Sequence, residues 1–143
     1  MDWKIERVQG ADLDVAEVLR VYRTSGLGER RPVEDTELFT AMVRNANLTV
    51  VCRVDGELVG IARCVSDFSY VTYLSDIAVS GGVQRSGIGK ALIEAVRREA
   101  PSAKIVLLSA PAATAYYPHI GFTRHESAWV LGALDAAARD GAA

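Results

Sequence analysis

The stretch that most restricts the fold runs from Leu74 to Arg98, LSDIAVSGGVQRSGIGKALIEAVRR. A strand ends at Ile77-Ala78-Val79, and the loop Gln84-Arg85-Ser86-Gly87-Ile88-Gly89 then opens directly into a helix. Ile88, Ala91, Leu92, Ala95 and Val96 recur at the spacing that lays one apolar stripe on a core. Lys90, Glu94, Arg97 and Arg98 take the other side. Glycines let the backbone pass close to a ligand without a Cβ in the way. The first turn of a helix leaves its N–H groups unpaired and carries the positive end of the dipole. Arg85 and Lys90 bring full charges to that same end. The product is an anion cradle suited to a pyrophosphate.

Two familiar phosphate motifs do not fit. A Walker loop needs Gly where Gln84 stands and Ser or Thr where Ala91 stands. A dinucleotide fingerprint starting at Gly87 needs Gly or Ala at Leu92. A plain strand-turn-helix, with glycines serving only the turn, is the bland alternative. The pattern that does match is Q/R-x-x-G-x-G/A, here Gln84 to Gly89, after a strand reading Leu74-Ser75-Asp76-Ile77-Ala78-Val79. On these residues the chain resembles the GNAT family of acyl-CoA-dependent N-acetyltransferases.

At 143 residues the chain is long enough to bury a core as one domain. Sixteen basic against eighteen acidic residues leave a net charge of −2, which gives no electrostatic case for nucleic acid as a partner. No apolar run is long enough for a membrane span, and Met1-Asp2-Trp3-Lys4 lacks the regions of a signal peptide. The cytoplasm is the expected compartment. Cys52 and Cys64 suit a reducing environment. They flank a hairpin turning at Asp55-Gly56, where a two-residue turn sets Cys52 opposite Val59, so a disulfide is not expected. Neither cysteine has a His near it in sequence, so neither reads as a nucleophile.

In chain order, Trp3 to Val8 alternates as a strand, and Asp12 is a cap for a helix to about Arg23. Ser25 to Gly28 stops that helix; a second begins near Asp35, carries Leu38, Phe39, Met42 and Val43 inward, and ends at Asn45 to Asn47. Leu48 to Val54 and Glu57 to Val65 form the hairpin, and Tyr70 to Val79 is the central strand. Lys104 to Ser109 is a continuous apolar run, as for a strand buried on both faces. Pro111 to about Tyr117 is a short helix broken by Pro118; a final strand is expected around Ser127 to Leu131. Residues 132–143 read as a loose, Ala-rich tail, with a frayed helix one form of it. This order predicts an α/β (α+β) chain with a mixed, mostly antiparallel sheet flanked by about four helices.

That order is also the one the GNAT fold uses, so the resemblance spans Trp3 to about Leu131 of a single domain. A second anchor is Tyr116-Tyr117-Pro118-His119-Ile120-Gly121-Phe122, similar to the family's aromatic-Tyr-x-x-x-Gly-Phe segment. The resemblance implies direct transfer from acetyl-CoA to a primary amine of a small molecule or peptide, in a ternary complex and without metal. It implies that backbone from Gln84, Arg85, Ser86, Gly87, Ile88, Gly89 and Lys90 holds the pyrophosphate, while the edge of Ile77, Ala78 and Val79 pairs with the pantetheine amides. A backbone N–H of that edge would serve the oxyanion. Tyr117 takes the general acid's place, Tyr116 packs beside it, and Asp76 is the candidate base or ammonium-orienting acid. Tyr73 is a further lining candidate; Asp67 and Arg63 either meet the substrate or form a surface pair. His119 reads as a surface residue. The last strands often supply dimer contacts in such proteins, so a homodimer is left open. A CoA-binding sensor with little turnover and an O-acyl or longer-acyl transferase are the rival readings.

Overall fold

Alternating apolar residues build β1 (Trp3–Val8), β2 (Leu48–Val54), β3 (Glu57–Ser66) and β4 (Val71–Val79), each antiparallel to the one before. β5 (Lys104–Val106) joins β4 in parallel, completing a mixed five-stranded sheet in the order β1-β2-β3-β4-β5. The computed structural model describes residues 2–135. They fall into two units, one ending at Leu107 and one beginning at Leu108.

In the first unit, α1 (Val15–Ser25), α2 (Thr36–Asn45) and α3 (Ile88–Glu99) cover the sheet. Asp35 caps α2 by accepting from the Leu38 N–H at 3.0 Å. Asp14, rather than the expected Asp12, caps α1 through the Ala16 N–H. The reason is Leu13, which enters the core ahead of the helix and delays its first turn, leaving Asp12 in a 3-10 turn. Val18, Val21 and Tyr22 of α1 and Phe39 and Val43 of α2 pack on Val51, Leu58, Ile61 and Ala78 of the sheet. Gly60 is next to Ile61 and so faces the other side. A Cβ there would lie 3.1 Å from Ile88 Cγ2 and 3.2 Å from Leu92 Cδ1. Helices therefore flank both faces, and the missing side chain lets α3 lie close.

The hairpin turns at Asp55 and Gly56 as expected, but Cys52 lies opposite Gly60 rather than Val59. Arg53 faces Leu58, so Val59 is an extra, bulged residue that shifts the register. A second shift matters more. Arg63 faces Asp76 while Cys64 faces Leu74, which makes Ser75 the extra residue of β4. Both cysteines are free and buried, and burial pushes the Cys64 thiol up to about 12.

The strand after α3 is shorter than its apolar run suggests. Only Lys104–Val106 pairs, and Val106 and Leu108 are exposed rather than buried on both faces. In the second unit, a 3-10 turn (Pro111–Ala113) and α4 (Tyr116–His119) replace the expected continuous helix. Pro118 lies inside α4, in the first turn, where no backbone N–H partner is needed. Ser127 to Leu131 forms no strand, and its Trp129, Val130 and Leu131 are exposed. Gly132 to Asp135 has neither helix nor strand, and the remainder of the expected tail, 136–143, lies outside the described residues.

Substituting Gly60→Val should cost about 1–3 kcal/mol by overpacking against Ile88 and Leu92. A urea-unfolding midpoint equal to that of the unaltered protein would contradict the close approach of α3.

Candidate functional site

β4 leads through a 3-10 turn (Gly81–Val83) to the loop that opens α3. Gly87 holds the N-cap position at φ +90°, a conformation side chains resist, and no side chain caps the helix. The first intrahelical bond runs from the Ala91 N–H to the Gly87 carbonyl at 3.1 Å. The N–H groups of Ile88, Gly89 and Lys90 therefore stand at the positive end of the helix without a capping acceptor. The loop is braced from within: the Ser86 hydroxyl donates to the Val83 carbonyl at 2.5 Å, and the Gln84 amide donates to the Val79 carbonyl at 2.9 Å. Arg85 and Lys90 are exposed, whereas the Ile88 side chain is buried, so Ile88 presents only backbone to a ligand.

Gln84 thus joins the cradle to the end of β4. That strand also has an open side. β5 pairs only with Val71, Thr72 and Tyr73, so from Leu74 to Val79 the β5 side has no strand beside it among the described residues. Ala78 is packed into the core and can offer backbone only, while Ile77 and Val79 are half-buried.

Asp76 is the centre of a buried ionic cluster. The Tyr22 hydroxyl donates to Oδ2 at 2.5 Å, Arg63 Nε donates to Oδ2 at 2.6 Å, and Arg31 Nε donates to Oδ1 at 2.5 Å. Arg31 also donates from Nη2 to the Ser75 carbonyl at 2.9 Å, and Arg63 from Nη2 to the Ser75 hydroxyl at 2.9 Å. Arg63 Nη1 reaches the Met42 carbonyl of α2 at 3.2 Å. One carboxylate thereby ties α1, the α1–α2 connection, α2, β3 and the bulge in β4. Burial raises the Asp76 carboxyl, but the charge of Arg63, the Tyr22 hydrogen bond and Arg31 outweigh it and hold it below the ordinary range. Burial, then the Asp76 charge, drives the Tyr22 phenol upward. An ionised carboxylate whose two oxygens both accept charged or phenolic donors is a weak proton acceptor.

Arg63 does not pair with Asp67 on the surface. Asp67 instead caps its own turn, accepting from the N–H groups of Ser69, Tyr70 and Val71. Tyr22 was not legible as a site residue, and Arg31 was legible only as one of the charges Glu29, Arg30 and Arg31 in the loop of an acceptor site. The available signal was the inward register of Asp76, since a buried carboxylate demands cationic or hydrogen-bonding partners.

In the second unit, Tyr117 is half-buried, its ring edge-on to Tyr116 at 5.3 Å and to Phe122 at 5.4 Å. The Phe122 N–H donates to the Tyr117 carbonyl at 3.1 Å, so Gly121-Phe122 folds back on α4. Burial, then Tyr116, raises the Tyr117 phenol, which stays protonated at neutral pH. His119 is exposed. No group of three or more His, Cys, Asp or Glu among the described residues could hold a metal. No described helix is long and apolar enough to cross a membrane.

The sequence profile of the acetyltransferase (GNAT) domain matches residues 18–131. The chain belongs to the GNAT acetyltransferase family. Solved structures share the fold. A GNAT-family acetyltransferase from Streptococcus pneumoniae aligns with TM-score 0.72 at 18% identity, over 91% of this chain and 98% of that one. The aminoglycoside N-acetyltransferase AAC(6')-Iy in complex with CoA aligns with TM-score 0.69 at 17% identity, over 93% and 95%. An aminoglycoside acetyltransferase from an uncultured soil metagenomic sample aligns with TM-score 0.66 at 21% identity, over 92% and 95%. At such identities the likeness speaks for the fold. A comparison with curated proteins finds no match.

Replacing Asp76 by Asn should destabilise the protein by about 3–5 kcal/mol, because Arg63 and Arg31 lose their counter-charge. Asp76 has a depressed folded pKa, so its contribution is full above about pH 3.9 and fades as pH falls through that lower value. The gap between wild type and Asp76→Asn in urea midpoint should therefore be large at neutral pH and shrink in acid.

Proposed function

We propose that the protein is an acetyl-CoA-dependent N-acetyltransferase that acts on a primary amine by direct attack in a ternary complex. The observation carrying this reading is the continuity of β4's free edge with the uncapped start of α3. Free strand edge recognises an amide-bearing chain, and unpaired helix N–H groups recognise phosphate. Pantetheine joined to a pyrophosphate has both features in that order. Acetyl-CoA, when bound, supplies a thioester as acetyl donor.

In this reading Ile77, Ala78 and Val79 pair through backbone with the pantetheine arm. Gln84, Arg85, Ser86, Gly87, Ile88, Gly89 and Lys90 hold the pyrophosphate, with Gln84 acting chiefly as the brace to Val79. A backbone N–H of the β4 edge stabilises the oxyanion. The amine nitrogen forms a C–N bond to the acetyl carbon and gives up one proton to solvent as the C–S bond breaks; Tyr117 donates its proton to the departing thiolate and regains one from solvent, with Tyr116 packing its ring. Asp76 holds the bulge and the helices in place rather than taking the ammonium proton, which leaves to water. The full engagement of Asp76 favours a second reading, CoA binding with little turnover, which transfer of acetyl to any amine would exclude. Two buried free thiols suit a reducing compartment, and the cytoplasm is the proposed location.

Calorimetric titration should show acetyl-CoA binding in the wild type and in Gly87→Ala, with loss in Gly87→Glu. Ala carries the same backbone strain without the charge, so binding that survived in Gly87→Glu would move the coenzyme elsewhere. Tyr117→Phe should lower kcat by about 10²-fold with an unchanged KM for acetyl-CoA. The acid limb of kcat/KM should follow the pKa of the acceptor amine when acceptors are exchanged. A limb fixed whatever the acceptor would return an enzyme carboxylate to the role of base.

A further inference from the structure

The acceptor side of β4 carries a charge and an apolar surface that together define a ligand. Arg31, Arg63 and Asp76 sum to one excess positive charge at the Ser75 bulge. Arg31 keeps 22% of its side chain exposed. Its bonds to Asp76, Ser75 and the Arg30 carbonyl leave an N–H on each terminal nitrogen without a partner among the described residues. Beside this cluster the sheet face is bare. Val65 lies opposite Tyr73, and Tyr73 opposite Val106, so the three form a row across β3, β4 and β5. They are 52%, 38% and 41% exposed. Arg63 and Val65 are two residues apart on β3, which puts row and cluster on one face about 7 Å apart. Aromatic and aliphatic side chains left bare beside a guanidinium with free donors are suited to a molecule that is apolar at one end and anionic nearby.

We propose that the acceptor is an amino acid with an apolar side chain, its carboxylate on Arg31 and its side chain on the Val65–Tyr73–Val106 row. The amino group then lies over the free edge of β4. This rests on the acetyltransferase reading, and the chemistry is the same: the α-amino nitrogen gains the acetyl group, the thiol leaves, and one proton is released. Arg31 and Val65 are specificity residues here. A polycationic amine, by contrast, meets the excess positive charge.

The test uses the full-length protein, acetyl-CoA and four acceptors: L-phenylalanine, 2-phenylethylamine, L-serine and spermidine, with product read by mass spectrometry and free thiol release. Phenylalanine should exceed 2-phenylethylamine, serine and spermidine by tenfold or more in kcat/KM. Val65→Asp, at an exposed position, should raise the KM for phenylalanine at least fivefold with the KM for acetyl-CoA unchanged. Arg31→Lys should narrow the gap between phenylalanine and 2-phenylethylamine. Equal or better turnover of 2-phenylethylamine, serine or spermidine, or no amino-acid turnover by protein that binds acetyl-CoA in the calorimeter, overturns the acceptor class alone. Failure to bind acetyl-CoA overturns the acetyltransferase reading and this assignment with it.

Discussion

One buried carboxylate holds together the unit that ends at Leu107. Asp76 sits at an inward position of the central strand, where an unpaired charge would cost several kcal/mol. Tyr22, Arg31 and Arg63 meet that demand, and each belongs to a different element. The same guanidinium groups reach the Ser75 carbonyl, the Ser75 hydroxyl and the Met42 carbonyl. The cluster therefore does more than neutralise a charge. It fixes where α1 and α2 lie on the sheet and holds the bulge in β4.

The bulge and the cradle divide the strand's work. Before Ser75, β4 is an ordinary interior strand with β3 and β5 beside it. After Ser75, among the described residues, it has a strand on one side only, and it leads through the 81–83 turn and the following loop to the uncapped start of α3. Among the described residues, one side of Leu74 to Val79 therefore has no strand on it, and the α3 start beyond it has no side-chain cap. A glycine at the N-cap denies α3 a side-chain cap, which is a loss for the isolated helix and a gain for an anion. Gly60 has a packing role behind this, since α3 must lie close to the sheet for its first turn to begin where it does.

Local features were legible in the sequence. β1, the hairpin about Asp55-Gly56, the helix start near Asp35 and the strand-loop-helix at Gln84 to Gly89 all rest on contacts within a few residues, which periodicity and turn chemistry encode. Long-range features were not. Tyr22, Arg31 and Arg63 converge on Asp76 from 54, 45 and 13 residues away, and nothing local distinguishes Arg31 from its solvated neighbour Arg30. The Val59 bulge moved Cys52 by one partner because a two-residue turn fixes register only as far as the first irregularity. The runs at Lys104 to Ser109 and Ser127 to Leu131 are apolar enough for strands, but a strand exists only where a ladder partner is present.

The most direct test of this account is a backbone amide NMR titration of the ¹⁵N-labelled protein with CoA. The account predicts that the largest shift changes fall on Ile77 to Val79 and on Gln84 to Lys90, with Ile88, Gly89 and Lys90 moving as expected of donors to phosphate. Saturable changes confined to other parts of the sheet, with those amides unmoved, would contradict it.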